Sequence, residues 1–326
     1  MTLLAVDHLR VTFDTDDGPV LAVKDMSFTL RAGEILALVG ESGCGKSVTA
    51  MSIPGLLPTR GVRRSGSVRL AGRELTALTE RDLESVRGKE ISVVFQEPMT
   101  SLNPAYTVGR QVAEVIRRHQ PVGRRQAMDR AVELLDLVDI PDARRRAASY
   151  PHQLSGGMRQ RVMIAMAVAC DPKVLIADEP TTALDVTIQA GVLQVIRTLC
   201  RTLDTAVVLI THDLGVVAEI ADRVVVMYAG RPVEQATVTS LFAAPQHPYT
   251  MGLMGALPAN ALGGRSRRLA EIPGMVPVPT DDPDECQFAS RCPRATEECL
   301  ASRPALRELR PEHAAACYHP GAEVGV

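Results

Sequence analysis

The sequence predicts an α/β fold in which buried parallel strands place ligand-binding residues at their carboxyl ends. Three short, nearly continuous apolar runs predict the strands: residues 34–39, residues 174–177 and the run within TAVVLITHDL. Two segments between the first and second of these runs, VGRQVAEVIRRH and RQAMDRAVELLDLVDI, have helical apolar spacing and predict helices. Each strand is followed by glycine or polar residues, and open α/β sheets bind ligands at that edge.

Composition narrows the class of protein. The chain has 326 residues, which allows one large domain with an appendage or two domains. Its 36 basic and 38 acidic residues give no overall positive field, so nucleic acid is not an expected partner. The first residues do not resemble a signal peptide, and the longest apolar run, near VMIAMAVAC, is too short to span a bilayer. We therefore expect a cytosolic chain whose cysteines are metal ligands or bystanders, not disulfides.

A phosphate-binding loop follows the first strand. The segment matches G-x-x-x-x-G-K-[ST] and consists of Gly40, Glu41, Ser42, Gly43, Cys44, Gly45, Lys46 and Ser47, with Val48 opening a helix. The glycines allow backbone N–H groups to turn towards phosphate oxygens. Lys46 is expected to reach the β- and γ-phosphates and Ser47 to ligate Mg²⁺, while the Cys44 side chain is a bystander. The strand before the loop and the helix after it disfavour the alternative of a chance glycine turn.

Polar residues end the other two strands. Asp178 follows the second apolar run and is a candidate to help hold Mg²⁺ through water. Glu179 comes next and is the candidate general base for the attacking water. His212 follows the third run, between Thr211 and Asp213, and is expected to contact the γ-phosphate. A solvated turn is the alternative for the two carboxylates, and the preceding strand disfavours it.

A second anion site is predicted in YPHQLSGGMRQR. Ser155 is a plausible N-cap, Gly156 and Gly157 permit close backbone approach, and a helical pattern runs on to Cys170. Because one nucleotide already has its cradle at residues 40–47, this second helix start suggests that two chains complete each other's nucleotide sites.

In their order and spacing, these motifs resemble those of ATP-binding cassette (ABC) ATPases over residues 1 to about 240. The resemblance implies a P-loop NTPase fold with a RecA-like core, an antiparallel β subdomain and a helical subdomain at about residues 97–165. It also implies a head-to-tail pair of cassettes with Asp185 at the seam, and residues 155–157 facing the partner's γ-phosphate. Gln96 in VVFQEP would sense Mg²⁺ and the transmembrane partner, and Phe13 would stack on adenine unless it is a core residue.

Further segments narrow the resemblance. QEPMTSLNPAYTVGRQ, PQHPYTMGLMGALP and a cysteine-bearing tail resemble the ATPase subunits of dipeptide/oligopeptide or nickel ABC importers. This implies an ATPase domain at 1–240 and an extension at 241–326. It further implies two transmembrane permease subunits, an extracytoplasmic substrate-binding protein, an identical or different second ATPase subunit, and a peripheral place at the cytoplasmic face of the membrane. A soluble ABC ATPase of nucleic-acid metabolism and an exporter ATPase are the alternatives.

The tail gathers four of the seven cysteines, Cys286, Cys292, Cys299 and Cys317. Their C-x5-C-x6-C-x17-C spacing is not that of a zinc finger, and four thiolates are the usual ligands of a [4Fe–4S] cluster. The resemblance likewise implies a C-terminal cluster in some members of the family. Zn²⁺ and four reduced thiols remain alternatives, with His313 and His319 as substitute ligands.

Two structural expectations accompany this reading of the tail. The tail is expected to bury little core of its own, and the proline-rich EIPGMVPVPTDDPDE before it to be an extended connector. Cys170 and Cys200 are expected to be small core residues.

Overall fold

The computed structural model describes residues 2–95, 101–182, 185–256, 272–277 and 282–321. The strands are β1 (Thr2–Thr15), β2 (Gly18–Arg31), β3 (Ile35–Val39), β4 (Val62–Leu70), β5 (Arg73–Glu74), β6 (Ile91–Val94), β7 (Val174–Asp178), β8 (Ala206–Thr211), β9 (Arg223–Tyr228), β10 (Arg231–Thr237), β11 (Arg307–Arg310) and β12 (His313–Ala315). The helices are α1 (Lys46–Ser52), α2 (Glu80–Val86), α3 (Val108–His119), α4 (Arg124–Leu137), α5 (Ala143–Arg146), α6 (Gly156–Ala167), α7 (Val186–Leu203), α8 (Leu214–Ile220), α9 (Val238–Ala243), α10 (Pro248–Gly255) and α11 (Glu297–Ala301). None of the helices in these ranges is both long and apolar enough to cross a membrane.

The chain divides into two compact units. The first consists of Met1–Leu3, Leu30–Ile35 and Ala77–Ile210, and the second of Leu4–Thr29, Leu36–Thr76 and Thr211–Val326.

In the first unit, parallel strands run in the order β6, β7, β8. The register places Val93 opposite Ile176 and Asp178 opposite Ile210. Every residue of β7 is buried, which explains why its sequence is a continuous apolar run and not an alternating one. The helices α2 to α7 complete this unit, and Cys170 and Cys200 are buried in it as predicted.

The second unit contains a small antiparallel sheet in the order β2, β1, β4, β5. It also contains strands in the order β3, β9, β10, β12, β11, in which β3 and β9 are parallel and the later pairs are antiparallel. The tail therefore contributes two strands that continue from β10, with Ala315 paired to Glu234. The tail is therefore attached to this unit through backbone pairing, which the sequence analysis did not predict.

An aromatic cluster packs the tail on the same unit. Phe288, between the first two tail cysteines, is 3% exposed and lies edge-on to Tyr228 and Tyr249, with ring centroids 5.2 and 5.5 Å away. Tyr249 belongs to α10, in the HPYT segment, and its ring lies 4.8 Å from that of Tyr228. Burying a phenylalanine contributes about 2 kcal/mol by transfer alone, so Phe288 helps to hold the tail in place.

A buried carboxylate links three segments of the second unit. Glu234 on β10 is completely buried and accepts hydrogen bonds from the backbone N–H groups of Gln246 (2.7 Å) and His247 (2.9 Å). Its Oε1 also lies 2.7 Å from Nε2 of His313 on β12. Buried carboxylates are stable only with such partners, so Glu234 fixes the start of the HPYT segment and the tail to β10.

The expected extended connector is anchored where the structure describes it. The carbonyls of Ile272 and Pro273 accept hydrogen bonds from Arg291 at 3.2 and 2.8 Å. Both carboxylate oxygens of Asp282 accept a hydrogen bond from Arg231 at 2.7 Å, and Oδ1 accepts another from Arg303 at 2.6 Å. These contacts hold residues 272, 273 and 282 against the second unit, which the proline content of the segment did not predict.

Candidate functional site

The phosphate-binding loop of the second unit joins β3 to α1, as the motif predicts. Lys46 opens α1, and its side chain is buried. Its Nζ donates hydrogen bonds to the carbonyls of Gly40 (2.8 Å) and Glu41 (3.0 Å). The ammonium group is therefore held over the loop by carbonyl oxygens, the position from which it can meet an anionic ligand.

Gly45 is required by the shape of this loop. It is the N-cap of α1 with φ of 96°, in the left-handed region that favours glycine. A Cβ at this position would lie 2.4 Å from the carbonyl oxygen of Ala22. Ser47, the predicted Mg²⁺ ligand, follows on the exposed side of α1, whereas Cys44 is fully buried and burial raises its pKa. The position of the Cys44 side chain agrees with its reading as a bystander to phosphate binding.

The loop residue Glu41 is held by the C-terminal extension. Its backbone N–H donates to the hydroxyl oxygen of Tyr249 at 2.8 Å. Its carboxylate receives two hydrogen bonds from Arg291, at 2.7 and 3.0 Å. The motif assigned Glu41 only a place in the loop, and nothing in the sequence around Arg291 pointed to this contact.

The predicted Mg²⁺ ligand Asp178 and the predicted general base Glu179 lie at the end of β7 in the first unit. Asp178 is 6% exposed, and Glu179 follows it with φ of 46°, an unusual conformation for a residue with a side chain. The Glu179 N–H donates to Ile210 at 3.0 Å, and its Oε2 accepts from the hydroxyl of Thr182 at 2.8 Å. The Glu179 carboxylate is thus held in one orientation at the end of a buried strand.

The other three residues predicted to act at the ATP site are His212, Phe13 and Gln96. His212 is exposed in the turn after β8, before Asp213, which caps α8 by accepting from the Gly215 N–H at 2.7 Å. Phe13 lies half-buried on β1, opposite Val62 of β4. Gln96 lies outside the described residues.

The second predicted anion site begins α6 in the first unit. Ser155 is the N-cap, as predicted, and its exposed side chain accepts a hydrogen bond from the Met158 N–H at 3.3 Å. Gly156 is exposed, whereas Gly157 is buried, and a Cβ there would lie 2.4 Å from Cγ2 of Ile188. Since Ile188 belongs to α7, which Asp185 caps, the glycine allows close packing of the two helix starts. The helix ends at Ala167, three residues before the predicted Cys170.

The four tail cysteines line one pocket of the second unit, together with His247 and His319 among others. No group of three or more His, Cys, Asp or Glu side chains within the described part of the chain is arranged to hold a metal ion. His313 is wrong as a substitute ligand, because its ring is buried against Glu234. His319 does line the pocket, with its Nε2 2.9 Å from the hydroxyl of Thr296.

Polar groups point at the cysteine sulfurs. The backbone N–H of Arg294 donates to Sγ of Cys292 at 3.4 Å, and that of His319 donates to Sγ of Cys317 at 3.3 Å. Burial raises the pKa of the Cys317 thiol to about 11, against the opposite effect of the His319 N–H. Nearby thiols add to this rise because neighbouring thiolates repel one another.

Comparisons with known proteins agree with this arrangement. Residues 23–182 match the family described as ABC transporter, and residues 233–299 match the oligopeptide/dipeptide transporter C-terminal region. A probable peptide ABC transporter ATP-binding protein of Sinorhizobium fredii is 53% identical over 97% of this chain and 94% of its own length. The oligopeptide transport ATP-binding protein AppD of Bacillus subtilis is 49% identical over 97% of this chain and 96% of its own length. A bacterial ABC transporter cassette solved as a dimer has a TM-score of 0.65 at 28% identity, covering 72% of this chain and 99% of that one.

The fold, the phosphate-binding loop and these matches define an ABC ATPase, an enzyme that hydrolyses ATP. Within that class, the chain belongs to the family of oligopeptide and dipeptide ABC transporter ATP-binding proteins. The predicted fold class and family are confirmed.

Proposed function

We propose that this chain hydrolyses ATP to drive the import of peptides through a membrane-embedded ABC transporter. The observation that carries the proposal is that the phosphate-binding loop and the oligopeptide-transporter C-terminal region are parts of one compact unit, bonded at Glu41. Relatives that match nearly the whole chain are named as peptide or oligopeptide transport ATP-binding proteins. The chain would bind the cytoplasmic side of two permease subunits, supplied with peptide by an extracytoplasmic binding protein.

The chemistry assigned to each residue follows from its type. Lys46 and the backbone N–H groups of residues 40–48 would bind the ATP phosphates, and Phe13 would stack on adenine. Ser47, Asp178 and Gln96 would hold Mg²⁺, which supplies charge neutralisation on the phosphates. Glu179 would orient and deprotonate the attacking water, and His212 would contact the γ-phosphate.

A second cassette, identical or different, is proposed as the partner in ATP binding. Ser155, Gly156 and Gly157 would face the γ-phosphate bound by the other cassette. The exposed N-cap hydroxyl and exposed Gly156 support this role, because both are accessible to a ligand held by a neighbouring chain.

Reconstitution tests the transport function. Proteoliposomes containing this chain, its permease partners and a peptide-loaded binding protein should hydrolyse ATP several-fold faster than with the empty binding protein, and should accumulate labelled peptide. The substitution Lys46→Ala should abolish both the ATP hydrolysis and the accumulation of peptide. ATP hydrolysis that nucleic acid stimulates and peptide-loaded binding protein does not would support the rival class and contradict import.

We also propose that Cys286, Cys292, Cys299 and Cys317 hold one [4Fe–4S] cluster that stabilises the tail and takes no part in ATP chemistry. Their side chains line one pocket, and backbone N–H groups donate to two of the sulfurs, as suits thiolate ligands.

Anaerobic purification tests the cluster. The protein should be brown, with about four iron and four sulfide per chain. Cys292→Ser should lose iron and make residues 282–321 sensitive to protease, since metal binding and folding are coupled in small segments. Cys170→Ser changes a cysteine buried in the other unit and should keep the iron. One zinc per colourless chain, or no metal at all, would contradict the proposal.

A further inference from the structure

Every polar group of Glu41 is engaged. The backbone N–H donates to Tyr249, the carboxylate accepts from Arg291, and the carbonyl accepts from Nζ of Lys46 at 3.0 Å. Two of these partners come from the C-terminal extension, more than 200 positions along the chain. A continuous chain of hydrogen bonds therefore runs from the tail to the phosphate-binding lysine.

Arg291 is built for this contact. Its side chain is 4% exposed, and it uses all five of its N–H donors. Two go to Glu41, and the others go to the carbonyls of Pro273 and Ile272 and to the hydroxyl of Tyr228 at 3.4 Å. The paired geometry of guanidinium and carboxylate fixes direction as well as charge. Arg291 thus holds the Glu41 carboxylate in one place.

The charge of Glu41 explains why such a contact matters. A carboxylate directly after the first glycine of a phosphate-binding loop repels the anionic phosphates that the loop must accept. A buried guanidinium both neutralises that carboxylate and keeps it turned to one side. Because the Glu41 carbonyl is also bound to Lys46, movement of residue 41 would disturb the lysine as well.

We propose that Arg291 is a positioning residue for ATP binding, acting through Glu41 to neutralise and orient the phosphate-binding loop. The proposal rests on the role given above to residues 40–47. It makes the C-terminal extension a determinant of nucleotide affinity, in addition to its structural role. Arg291 directly precedes Cys292, one of the four cysteines that line the pocket of the tail.

The test measures the dissociation constant of the full-length chain for a fluorescent ATP analogue. Arg291→Ala leaves Glu41 unneutralised and should weaken binding about tenfold or more, with a smaller effect on kcat than on KM. Adding Glu41→Gln to this variant removes the unpaired charge and should restore affinity to within about threefold of the wild type. A purely structural role for Arg291 predicts no such rescue.

Arg303→Ala is the matched control. Arg303 is also a tail arginine, and it pairs with the carboxylates of Asp282 and Asp284, which lie outside the loop. It should leave the dissociation constant unchanged. If Arg291→Ala does not fold, Arg291→Gln, which keeps a hydrogen-bonding side chain and removes the charge, should show the same weakening and the same rescue.

Two results would overturn the proposal: unchanged affinity in a folded Arg291 variant, or weakened affinity that Glu41→Gln does not restore. Lys46→Ala separates this failure from failure of the loop assignment. If Lys46→Ala loses ATP binding and the Arg291 variants bind normally, only the positioning role of Arg291 is contradicted. If Lys46→Ala binds ATP normally, the assignment of residues 40–47 as the nucleotide site is contradicted.

Discussion

A Glu179→Gln variant is expected to keep ATP bound and to lose at least ~10²-fold of its turnover, the usual contribution of a general base. The substitution preserves the size of the side chain, and the Gln oxygen can still accept from the Thr182 hydroxyl, which lies 2.8 Å from Oε2 in the wild type. It removes only the group that can take a proton from water. The loss should therefore appear in kcat and not in the affinity for ATP.

Steady-state phosphate release and equilibrium ATP binding measure the two halves of this expectation. Glu90→Gln is the matched control, because it makes the same chemical change at a carboxylate of the same unit that pairs with Lys173 at 2.8 Å. It should stay within a few-fold of wild-type turnover. Phosphate release by Glu179→Gln at a similar level would remove Glu179 from the catalytic role.

Ser155→Arg is expected to leave ATP binding by its own loop intact, yet to block ATP-dependent closure of the paired cassettes and reduce hydrolysis by ~10²-fold or more. The exposed N-cap of α6 would carry a long side chain at the place proposed for the partner's γ-phosphate. The steric conflict arises only when two cassettes close, so nucleotide affinity and closure should separate.

Pulsed EPR distances between spin labels on the two cassettes of the purified transporter measure closure directly. Thr79→Arg controls for loss of a cap, because Thr79 is also an exposed N-cap of the first unit that accepts a backbone hydrogen bond at 3.3 Å. Both substitutions remove about 1 kcal/mol of capping, but only Ser155→Arg should prevent closure. Normal closure and hydrolysis by Ser155→Arg would refute the shared-site assignment.

Local features of this protein were readable from the sequence because their causes are local. The three apolar runs became the buried strands β3, β7 and β8, with boundaries shifted by a residue or two. Ser155 caps α6 as predicted, since capping depends on a side chain and a backbone N–H three positions later. The loop motif fixed the place of Lys46 because its glycines and lysine act within eight consecutive residues.

The sequence by itself thus determined the fold class, the family and the place of the phosphate-binding loop between β3 and α1. Only the tertiary structure decided what the tail does: it adds β11 and β12 beyond β10, removes His313 from the cysteine pocket by pairing it with Glu234, and brings Arg291 to Glu41. The Arg291–Glu41 contact joins residues 250 positions apart. Charged residues occur throughout the chain, and no periodic pattern in the sequence shows which of them will form an ion pair. Their pairing follows from the path of the backbone, because strand order and the packing of Phe288 on Tyr228 and Tyr249 bring the arginine to the loop.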